Sequence, residues 1–477
     1  MADASQTPMA LQAPPAPSSS LDLPVAIATM REAVSRGDTR PLTWRLEQLE
    51  RLSALLSQHE AAVLEALAAD LGKAPTEAYF ELVAVRHEVA HSRRHLARWM
   101  RPRGIGLPLW VRPASARIEP VPLGCVLILG PWNYPFQLCL HPLVSALAAG
   151  NTAILKPSEH APRTAALIAE LVPRHFPPEV VQVVLGDGAM ASRLLEERFD
   201  HIFFTGGSRV GALVMAAAAR QLTPVTLELG GKSPAIVLDD ADIAVTARRL
   251  AWGKGINAGQ TCVAPDHVLV VPERRQALVA AIREEFRNLY GENPLASPDL
   301  GAVVSPARFA HLSGLLDTAR DRVLAGGQSD PERRRIAPTL IAVPEPDRDP
   351  LMGEEIFGPL LPILEVADLE EALERVRRGE KPLALYLFST SGAARRRLLA
   401  SSCSGSVVFN DVVVQAGVVN LPFGGVGASG MGAYHGETGF LTFSHRRSVM
   451  ERPFWPDLRF RYPPYGNRLR LLRRLLG

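Results

Sequence analysis

The sequence predicts an α/β protein, and three observations lead to this fold class. From residue 123 onward, short apolar segments alternate with helical segments, which is the pattern of strand–helix–strand units. The apolar segments are continuous rather than alternating in polarity, as in parallel strands that are covered on both faces. The 477 residues are 47% hydrophobic and 21% charged, which are ordinary values for a globular protein.

Helices and a linker precede this alternation. Residues 1–20 are rich in Pro and Ser and are predicted to be a disordered tail. Apolar residues at helical spacing over 44–71 predict a helical region that stops at Gly72. A second amphipathic helix is predicted over 76–100. The Pro- and Gly-containing stretch that follows, 102–113, predicts a hairpin or an arm.

The alternating region fills much of the chain. The predicted strands up to Gly230 are 125–129, 152–155, 180–185, 201–204 and 225–229. The predicted helices between them are 141–149, 161–172, 189–197 and 208–220. Beyond Gly230 the alternation continues, with strands 235–238 and 268–271 and helices 242–254 and 274–290. Near the end we interpret residues 406–419 as β, followed by a Gly-rich stretch over 424–439.

Charge and cysteine content exclude several classes of protein. The chain carries 52 Lys and Arg against 49 Asp and Glu, and a net charge of +3 is too small for a dedicated nucleic-acid binder. The cysteines are too few and too scattered for a disulfide framework or a structural zinc site; they are Cys125, Cys139, Cys262 and Cys403. This usage indicates a reducing compartment. Without a signal peptide or an apolar run of roughly 18 residues, we expect a soluble cytoplasmic protein.

One metal motif is rejected in its context. Residues 87–91 fit the H-E-x-x-H pattern of zinc peptidases. No third ligand is evident, and Arg94 and Arg98 continue the same helix face. A solvated or interdomain helix face is the favoured interpretation.

A dinucleotide motif is rejected as well. Residues 425–430 fit G-x-G-x-x-G. Pro422 stands where the leading strand should end, and further glycines interrupt the helix that should follow. A tight loop close to a ligand or a subunit contact is favoured.

A third glycine motif has a better context. Strand 201–204 leads into Thr205-Gly206-Gly207-Ser208 and then into a helix. Glycines let the backbone approach a phosphate, and the start of a helix offers free N–H groups. A pyrophosphate site and an ordinary strand-to-helix turn both fit these residues.

Cys262 differs from the other cysteines. It ends the small, polar loop Asn257-Ala258-Gly259-Gln260-Thr261-Cys262, where a thiolate could be reached by a substrate. Cys125 and Cys139 stand among apolar residues and are interpreted as core, and Cys403 lies in a Ser/Gly loop. Because a lone cysteine usually has a structural role, the loop by itself leaves the function of Cys262 open.

Several motifs in one order carry a family resemblance. They are Pro131-Trp132-Asn133-Tyr134-Pro135, Leu155-Lys156-Pro157-Ser158-Glu159, Phe204-Thr205-Gly206, Leu227-Glu228-Leu229-Gly230-Gly231-Lys232-Ser233-Pro234, Gly259-Gln260-Thr261-Cys262 and Glu354-Glu355-Ile356-Phe357-Gly358-Pro359. Together they resemble the aldehyde dehydrogenase superfamily over nearly the whole chain after the tail. Residues 422–427 and 443–447 resemble its class 3 branch, which includes fatty, aromatic and coniferyl aldehyde dehydrogenases and whose members are commonly dimers.

The resemblance implies a Rossmann-like NAD-binding domain, an α/β catalytic domain and a small β oligomerisation arm. The implied partition is 21–105 and 122–226 for the NAD-binding domain, 227–430 for the catalytic domain, 106–121 and 431–460 for the arm, and 461–477 for a basic amphipathic C-terminal tail.

The resemblance also implies a reaction. A medium- or long-chain or aromatic aldehyde would be oxidised to a carboxylic acid through a thiohemiacetal and a thioester on Cys262. The Asn133 side-chain amide and the Cys262 backbone N–H would hold the oxyanion. Glu228 would act as the general base for hydrolysis, with a pKa raised by burial. A non-catalytic relative with the same fold is the alternative.

A nicotinamide cofactor is implied, and no metal. Its implied ligands are Trp132, Lys156, Glu159, Gly206, Gly207, Ser208, Glu355 and Phe357. Lys156 and Glu159 would meet the adenosine ribose, residues 206–208 the pyrophosphate, and Glu355 the nicotinamide ribose, with Phe357 against it. A carboxylate at 159 accepts hydrogen bonds from a 2′-OH and repels a 2′-phosphate, which favours NAD. The class 3 branch often uses both cofactors, so NADP stays open.

The implied partners are a small-molecule aldehyde and a second copy of the chain, with no nucleic acid. The tail segment 468–476 is basic and amphipathic. It fits contact with an anionic membrane surface, and it equally fits a helix docked on its own subunit or on a partner. The sequence does not name the aldehyde.

Overall fold

Two mainly parallel sheets and an antiparallel sheet organise the chain. The structure is a computed structural model that describes residues 22–457, 459–466 and 468–476, and the predicted tail 1–20 lies outside this part. The helices are α1 (Leu23–Arg36), α2 (Leu42–Gln58), α3 (Glu60–Leu71), α4 (Pro75–Trp99), α5 (Gln137–Ala149), α6 (Pro162–His175), α7 (Gly188–Glu196), α8 (Ser208–Ala219), α9 (Ile243–Gly255), α10 (Pro272–Tyr290), α11 (Pro306–Asp317), α12 (Pro350–Gly353), α13 (Leu369–Arg378), α14 (Gly392–Ser401), α15 (Gly436–Thr442) and α16 (Arg468–Leu476). The strands are β1 (Arg103–Ile105), β2 (Ser115–Pro122), β3 (Cys125–Leu129), β4 (Thr152–Lys156), β5 (Val181–Val183), β6 (His201–Thr205), β7 (Val225–Glu228), β8 (Pro234–Val237), β9 (His267–Val270), β10 (Val323–Ala325), β11 (Ser329–Asp330), β12 (Arg335–Ile336), β13 (Thr339–Ala342), β14 (Leu360–Glu365), β15 (Ala384–Phe388), β16 (Ser406–Phe409), β17 (Gly430–Met431) and β18 (Ser444–Glu451).

The first sheet has the strand order β17-β7-β6-β3-β4-β5, and β3 to β7 pair in parallel. Every residue of β3 is buried, because Val126 and Ile128 pack into one hydrophobic cluster and Leu127 into another on the opposite face. The chain places β4 and β5 on one side of β3, then β6 and β7 on the other. The crevice at the carboxyl ends of β3 and β6 is where open sheets of this kind bind ligands. The predicted α/β fold class is confirmed.

The second sheet has the strand order β10-β13-β14-β9-β8-β15-β16. Its strands pair in parallel except for β10, which is antiparallel to β13. After this sheet the chain returns to the first one. β17 pairs antiparallel with β7, with Gly430 opposite Glu228 and Met431 opposite Leu227. The strand that carries Glu228 is therefore covered on its outer edge by residues from near the end of the chain.

The third sheet is antiparallel and has the order β1-β2-β18. β2 and β18 pair over their full length, from Ser115 opposite Glu451 to Pro122 opposite Ser444. Most of its side chains are exposed or half-buried. The partition of the chain into domains and an arm stays a prediction.

Two predicted elements differ from the structure. The helical region over 44–71 is divided, because His59 has φ −122° and ψ 21° between α2 and α3; α3 then ends at Gly72, with φ 62°, as predicted. The β interpretation of 406–419 is wrong beyond Phe409, where Val413 has φ 67° and a short 3₁₀ turn follows. The valines of this segment favour a strand by propensity, but Val412 is fully buried in the core, and such packing overrides propensity.

Candidate active site

A cavity of about 460 Å³ lies at the carboxyl ends of β3, β6 and β7. The loops that precede β9 and β14 contribute further lining residues. Eight of the predicted site residues line it, and they are Trp132, Asn133, Gly206, Gly207, Glu228, Cys262, Glu355 and Phe357. Lys156, Glu159 and Ser208 are not among the lining residues. Residues that are far apart in the sequence thus share one site.

Cys262 follows a tightly turned loop. Asn257, Ala258 and Gly259 have φ values of 52°, 52° and 72°, a left-handed run that is unfavourable for the two residues with side chains. The loop is fixed from outside by Glu77, whose Oε2 accepts a hydrogen bond from the Asn257 backbone N–H at 2.9 Å. The surrounding contacts therefore hold the nucleophile candidate in a preset position.

The Cys262 side chain is half-buried and faces the cavity. Burial raises the pKa of its thiol, and the nearby carboxylates of Glu228 and Glu355 raise it further. The backbone N–H groups of Cys262 and Val263 act in the opposite direction, since they hydrogen-bond the thiolate. Burial is the largest of these effects, so the net result is a raised pKa for this thiol.

Glu228 ends β7 and is only 3% exposed. Neither of its carboxylate oxygens accepts a hydrogen bond from the described residues. Burial raises the pKa of this carboxyl well above its usual range. A buried carboxyl group with free lone pairs beside a cavity is suited to exchange a proton with a water molecule there.

Asn133 lies in the loop between β3 and α5 and is 4% exposed. Its Nδ2 donates to the Gln260 carbonyl oxygen at 3.1 Å, which occupies one of the two amide hydrogens. Its backbone carbonyl accepts from Lys73 Nζ at 2.9 Å and from Asn257 Nδ2 at 2.8 Å. The second amide hydrogen is left to donate into the cavity that Asn133 and Cys262 share.

The glycines at the start of α8 fit an anionic ligand. Gly206 and Gly207 line the cavity, and Gly207 precedes the first residue of the helix. A Cβ atom at Gly207 would meet nothing within 4 Å, so the backbone there is open to a ligand, and the helix offers free N–H groups. Ser208 Oγ instead donates to the Ala428 carbonyl at 3.3 Å. A pyrophosphate group fits this backbone cradle.

Lys156 is the last residue of β4, and Glu159 follows it in the next turn. Lys156 Nζ and Glu159 Oε2 form an ion pair at 2.7 Å. Burial alone would raise the pKa of Glu159, but the hydrogen bond and charge of Lys156 outweigh it and lower the pKa. Glu159 is thus ionised at neutral pH, which suits it to accept hydrogen bonds from sugar hydroxyls.

Glu355 enters the cavity beside Gly230. A Cβ atom at position 230 would lie 2.0 Å from Glu355 Oε2, so any side chain there would displace the Glu355 carboxyl group. Burial and the charge of Asp266 raise the pKa of Glu355 to about 8. Lys232 Nζ fixes the preceding turn by donating to the Glu354 carbonyl at 2.8 Å and by pairing with Asp266 at 2.6 Å. The Gly-Gly-Lys segment therefore positions this carboxyl group.

Two aromatic rings complete this side of the cavity. Trp132 and Phe357 make an edge-to-face contact with ring centroids 5.3 Å apart. Phe357 has φ 47°, an unusual conformation for a residue with a bulky side chain. The pair provides an apolar wall beside Glu355, where a flat ring could lie.

Sequence reasoning missed part of the lining. Glu228 and Cys262 were marked by motifs, whereas Arg209, Arg308, Leu138 and Tyr434 also line the cavity without any local signal. Phe423 lies in a segment that only the class 3 resemblance had marked. Lys73, which contacts Asn133, stands next to a predicted helix stop and gave no sign of its role.

The metal motif at 87–91 does not form one solvated face. His87 is exposed, but Glu88 is fully buried and its Oε1 accepts a hydrogen bond from the Gly436 N–H at 2.8 Å. Among the residues that the structure describes, no group of three or more His, Cys, Asp and Glu could hold a metal ion. The interpretation as a wholly solvated face is therefore wrong for Glu88, and the interpretation as an interdomain face stays a prediction.

The glycine motif at 425–430 forms a loop rather than the start of a helix. A bridge joins Gly427 and Gly430, and Gly430 continues into β17. A Cβ atom on Gly430 would lie 2.2 Å from the Leu227 carbonyl, so the loop passes directly over β7. Its Ala428 carbonyl accepts a hydrogen bond from Ser208 Oγ, which places the loop beside the glycine-containing start of α8.

The family model described as the aldehyde dehydrogenase family matches residues 12–449. The chain belongs to the aldehyde dehydrogenase family. Its similar relatives include family 3 member B1 of Homo sapiens, 46% identical over 447 residues that cover 93% of this chain and 95% of that protein. The dimeric, NADP-preferring aldehyde dehydrogenase of Rattus norvegicus is 44% identical and covers 91% and 96%. Family 3 member H1 of Arabidopsis thaliana is 43% identical and covers 94% of each chain.

Solved structures agree with this assignment. The substrate-bound state of Staphylococcus aureus AldH matches with a TM-score of 0.92 at 39% identity, over 95% of this chain and 99% of that one. The glyceraldehyde-3-phosphate dehydrogenase GapN of Methanocaldococcus jannaschii has a TM-score of 0.81 at 24% identity, over 90% and 94%, and shows the fold alone. The class 3 resemblance is confirmed, and this aldehyde dehydrogenase is an oxidoreductase that uses NAD or NADP.

Proposed function

We propose that this aldehyde dehydrogenase oxidises medium- or long-chain or aromatic aldehydes to carboxylic acids, with Cys262 as nucleophile, Asn133 as oxyanion donor and Glu228 as general base. One observation carries the assignment: these three residues, from separate elements, line a single cavity. The apolar contributions of Leu138, Phe423 and Tyr434 to that cavity support an apolar aldehyde.

The site residues suggest the order of events. The Cys262 thiol gives up its proton to water in the cavity as Sγ adds to the aldehyde carbon, and the resulting oxyanion accepts hydrogen bonds from Asn133 Nδ2 and the Cys262 backbone N–H. Neutral donors stabilise this charge without neutralising it, and loss of one costs about 3 kcal/mol in comparable sites. NAD(P)⁺, held by the cofactor ligands proposed below, would supply the acceptor for the hydride. Glu228 then takes a proton from a water molecule that attacks the thioester, which releases the acid and restores the thiol.

The proposed cofactor ligands follow the sheet edge. The backbone of Gly206 to Ser208 would hold the pyrophosphate, and Glu355, with Trp132 and Phe357 nearby, the nicotinamide end. Lys156 and Glu159 would hold the adenosine ribose. The negative charge of Glu159 favours NAD, while the name of the rat relative, NADP-preferring, keeps NADP as the alternative.

The central test is turnover by the purified protein. NADH appearance at 340 nm with a panel of aldehydes of increasing chain length and ring substitution gives kcat/KM for each. Cys262→Ala should abolish oxidation while cofactor binding persists. No turnover with any aldehyde from folded protein would favour a non-catalytic relative, and substantial turnover by Cys262→Ala would remove the assignment of the nucleophile.

We also propose a homodimer that forms through the antiparallel sheet. Large apolar side chains beside it are exposed, among them Trp110 (65%) and Trp455 (84%), and such patches mark contact surfaces. The rat relative is dimeric by name. Light scattering after size exclusion should give twice the chain mass of 51.7 kDa, and a Trp110→Ser/Trp455→Ser variant should shift the mass toward that of one chain. A single-chain mass for the wild type at micromolar concentration contradicts the proposal.

A cytoplasmic location and a peripheral membrane contact complete the proposal. All four cysteines are free, which supports a reducing compartment. No helix in the described ranges is long and apolar enough to cross a membrane. Arg470, Arg473 and Arg474 are exposed on α16 and suit anionic lipid. The test is cosedimentation with phosphatidylserine vesicles. Binding by the wild type that is lost when all three arginines are changed to alanine would support the contact. Equal binding by both proteins, or no binding by either, would contradict it.

A further inference from the structure

We propose that the buried Lys73–Glu81 ion pair is a positioning unit for the acylation of Cys262. It fixes the loop that carries Asn133, so that the side-chain amide is presented to the reacting oxygen. The inference rests on the proposed function, since it takes Asn133 to be an oxyanion donor. Neither residue lines the cavity, so any effect on the reaction must pass through the loop.

Lys73 holds the middle of the loop. Its side chain is fully buried between α3 and α4, and Nζ donates to the Asn133 carbonyl oxygen at 2.9 Å. The same ammonium lies 3.9 Å from the centre of the Tyr134 ring, within the range of a cation–π contact. It also pairs with Glu81. Two consecutive loop residues are therefore held by one charge.

Glu81 holds the end of the loop. Its side chain is also fully buried. Oε2 accepts hydrogen bonds from the backbone N–H groups of Phe136 at 3.1 Å and Gln137 at 3.0 Å, where α5 begins. A carboxylate at a helix start is favoured by the free N–H groups and the helix dipole. The ion pair is thus hydrogen-bonded to the loop at Asn133 and again at Phe136.

The Asn133 carbonyl that Lys73 contacts also contacts the loop 257–262, which ends at Cys262. Asn257 Nδ2 donates to the same Asn133 carbonyl at 2.8 Å, and also to the Gln260 carbonyl at 3.0 Å. Asn133 Nδ2 in turn donates to that Gln260 carbonyl. Because the peptide plane and one amide hydrogen of Asn133 are both fixed, the direction of its remaining N–H is fixed as well.

Packing does not explain why two charges occupy this place. Apolar side chains of similar size often replace a buried ion pair without loss of stability. Each charge of this pair instead makes its further polar contacts with the loop or with the start of the helix that follows it. A role in holding that backbone accounts for the charges.

The same fold offers a matched control. Asp70, on α3, is also buried and accepts hydrogen bonds from the backbone N–H groups of Arg163 at 3.0 Å and Thr164 at 2.8 Å, at the start of α6. Asp70 therefore anchors a helix start as Glu81 does. The helix it anchors does not follow the Asn133 loop. A change at Asp70 therefore shows how far the loss of a buried helix anchor alone alters the reactions of Cys262.

The test compares two reactions of Cys262 that need no cofactor. With p-nitrophenyl acetate the thiolate attacks the ester carbon, an oxyanion forms, p-nitrophenolate leaves, and an acetyl thioester remains. With iodoacetamide the sulfur displaces iodide, and no oxyanion forms. Both rates are measured for the wild type, Lys73→Met, Glu81→Gln, Asp70→Asn and Asn133→Ala, after circular dichroism has established the folded fraction.

We expect acylation to fall at least tenfold in Lys73→Met and Glu81→Gln, with alkylation changed less than twofold, and the ratio of the two rates to be unchanged in Asp70→Asn. If both single variants unfold, the apolar double variant Lys73→Met/Glu81→Leu is measured in the same way. A ratio within twofold of the wild type in the folded variants overturns the inference. If Asn133→Ala also leaves the ratio unchanged, the proposed oxyanion donor is wrong and the inference falls with it.

Discussion

The Glu228 carboxylate raises the pKa of the Cys262 thiol across the cavity that both residues line. Glu228 itself accepts no hydrogen bond from the described residues, and burial raises its own pKa. The two groups are thus coupled: whichever ionises first makes ionisation of the other less favourable. The pH dependence of the proposed general base therefore cannot be separated from that of the proposed nucleophile.

Replacement of Glu228 should separate the two halves of the reaction. In Glu228→Gln the thioester should form and then hydrolyse roughly 10²- to 10⁴-fold more slowly, because the general base is missing. Stopped-flow absorbance at 340 nm should show a burst of NADH of one equivalent per site, followed by a slow steady rate. Cys262→Ala, which cannot form the thioester, should show no burst. A steady rate equal to that of the wild type would exclude Glu228 as the base.

The same variant should change the titration of Cys262. Since Glu228 raises the pKa of the thiol, its neutral replacement lowers that pKa, and more thiolate is present at a given pH. The pH profile of Cys262 alkylation by iodoacetamide should therefore move to lower pH in Glu228→Gln. Glu170→Gln, which alters a surface carboxylate on α6, is the control and should leave the profile in place. An unmoved profile in Glu228→Gln would show that the two groups are not coupled.

A methyl group at position 230 should impair cofactor binding. The Cβ atom of Gly230→Ala would lie 2.0 Å from Glu355 Oε2, so Glu355 must move. We expect the KM for NAD to rise roughly tenfold, the loss of about 1.4 kcal/mol of binding free energy. Gly353→Ala is the matched control, because a Cβ atom there meets nothing within 4 Å. Equal KM values for both variants would contradict the role given to Glu355.

Neutralisation of Glu159 should shift the cofactor preference. The 2′-phosphate of NADP would meet the negative charge of Glu159, and removal of a like-charge contact near the surface is worth about 1 kcal/mol. The ratio of kcat/KM for NADP to that for NAD should therefore rise roughly fivefold in Glu159→Gln. Glu170→Gln again provides a control that leaves the ratio unchanged. A constant ratio in Glu159→Gln would place the 2′ position elsewhere.

Glu77 should make stability depend on pH. Burial raises its pKa to about 7 although the Asn257 N–H acts against this, so the folded state binds the proton more tightly than the unfolded chain. The stability it confers is complete below pH 4.5 and is lost as the pH rises through 7. The side chain at position 77 stays neutral in the variant Glu77→Gln. The free energy of unfolding of this variant, relative to that of the wild type, should therefore increase by about 3 kcal/mol between pH 4.5 and pH 8.

The difference in Tm between Glu77→Gln and the wild type, measured at pH 5 and pH 8, checks this prediction. The Tm of the variant, relative to that of the wild type, should be higher at pH 8 than at pH 5. The exposed carboxylate of Glu47 offers the control, since Glu47→Gln should keep a constant difference. A constant difference for Glu77→Gln as well would mean that Glu77 ionises with an ordinary pKa in the folded protein.

What the sequence could predict was local. The strands of the first sheet are continuous apolar runs, so β3 and β6 were placed within one residue, and motifs marked Cys262 and Glu228. The bend at His59 was not predictable, because nothing in the local pattern interrupts the helical spacing there. A strand was wrongly extended past Phe409 because its valines favour β structure by propensity.

Parts of the site depend on contacts between distant residues. Lys73 acts on Asn133, and Tyr434 reaches the cavity from a segment near the end of the chain. Neither position carries a local signature, since a lysine after a helix stop and a tyrosine in a Gly-rich stretch are usual surface residues. Only the folded arrangement shows that one is fully buried and the other lines the site.

The pairing of Gly430 with Glu228 has a consequence for synthesis. Until the ribosome has released residue 431, β7 is an open sheet edge with unpaired backbone groups, and such edges recruit other strands. While residues 229–431 are being synthesised, the nascent chain carries Glu228, the proposed general base, on that unprotected edge. Premature termination after β7 and before β17 therefore yields a fragment with an exposed sheet edge that is prone to aggregation, rather than a smaller enzyme with partial activity.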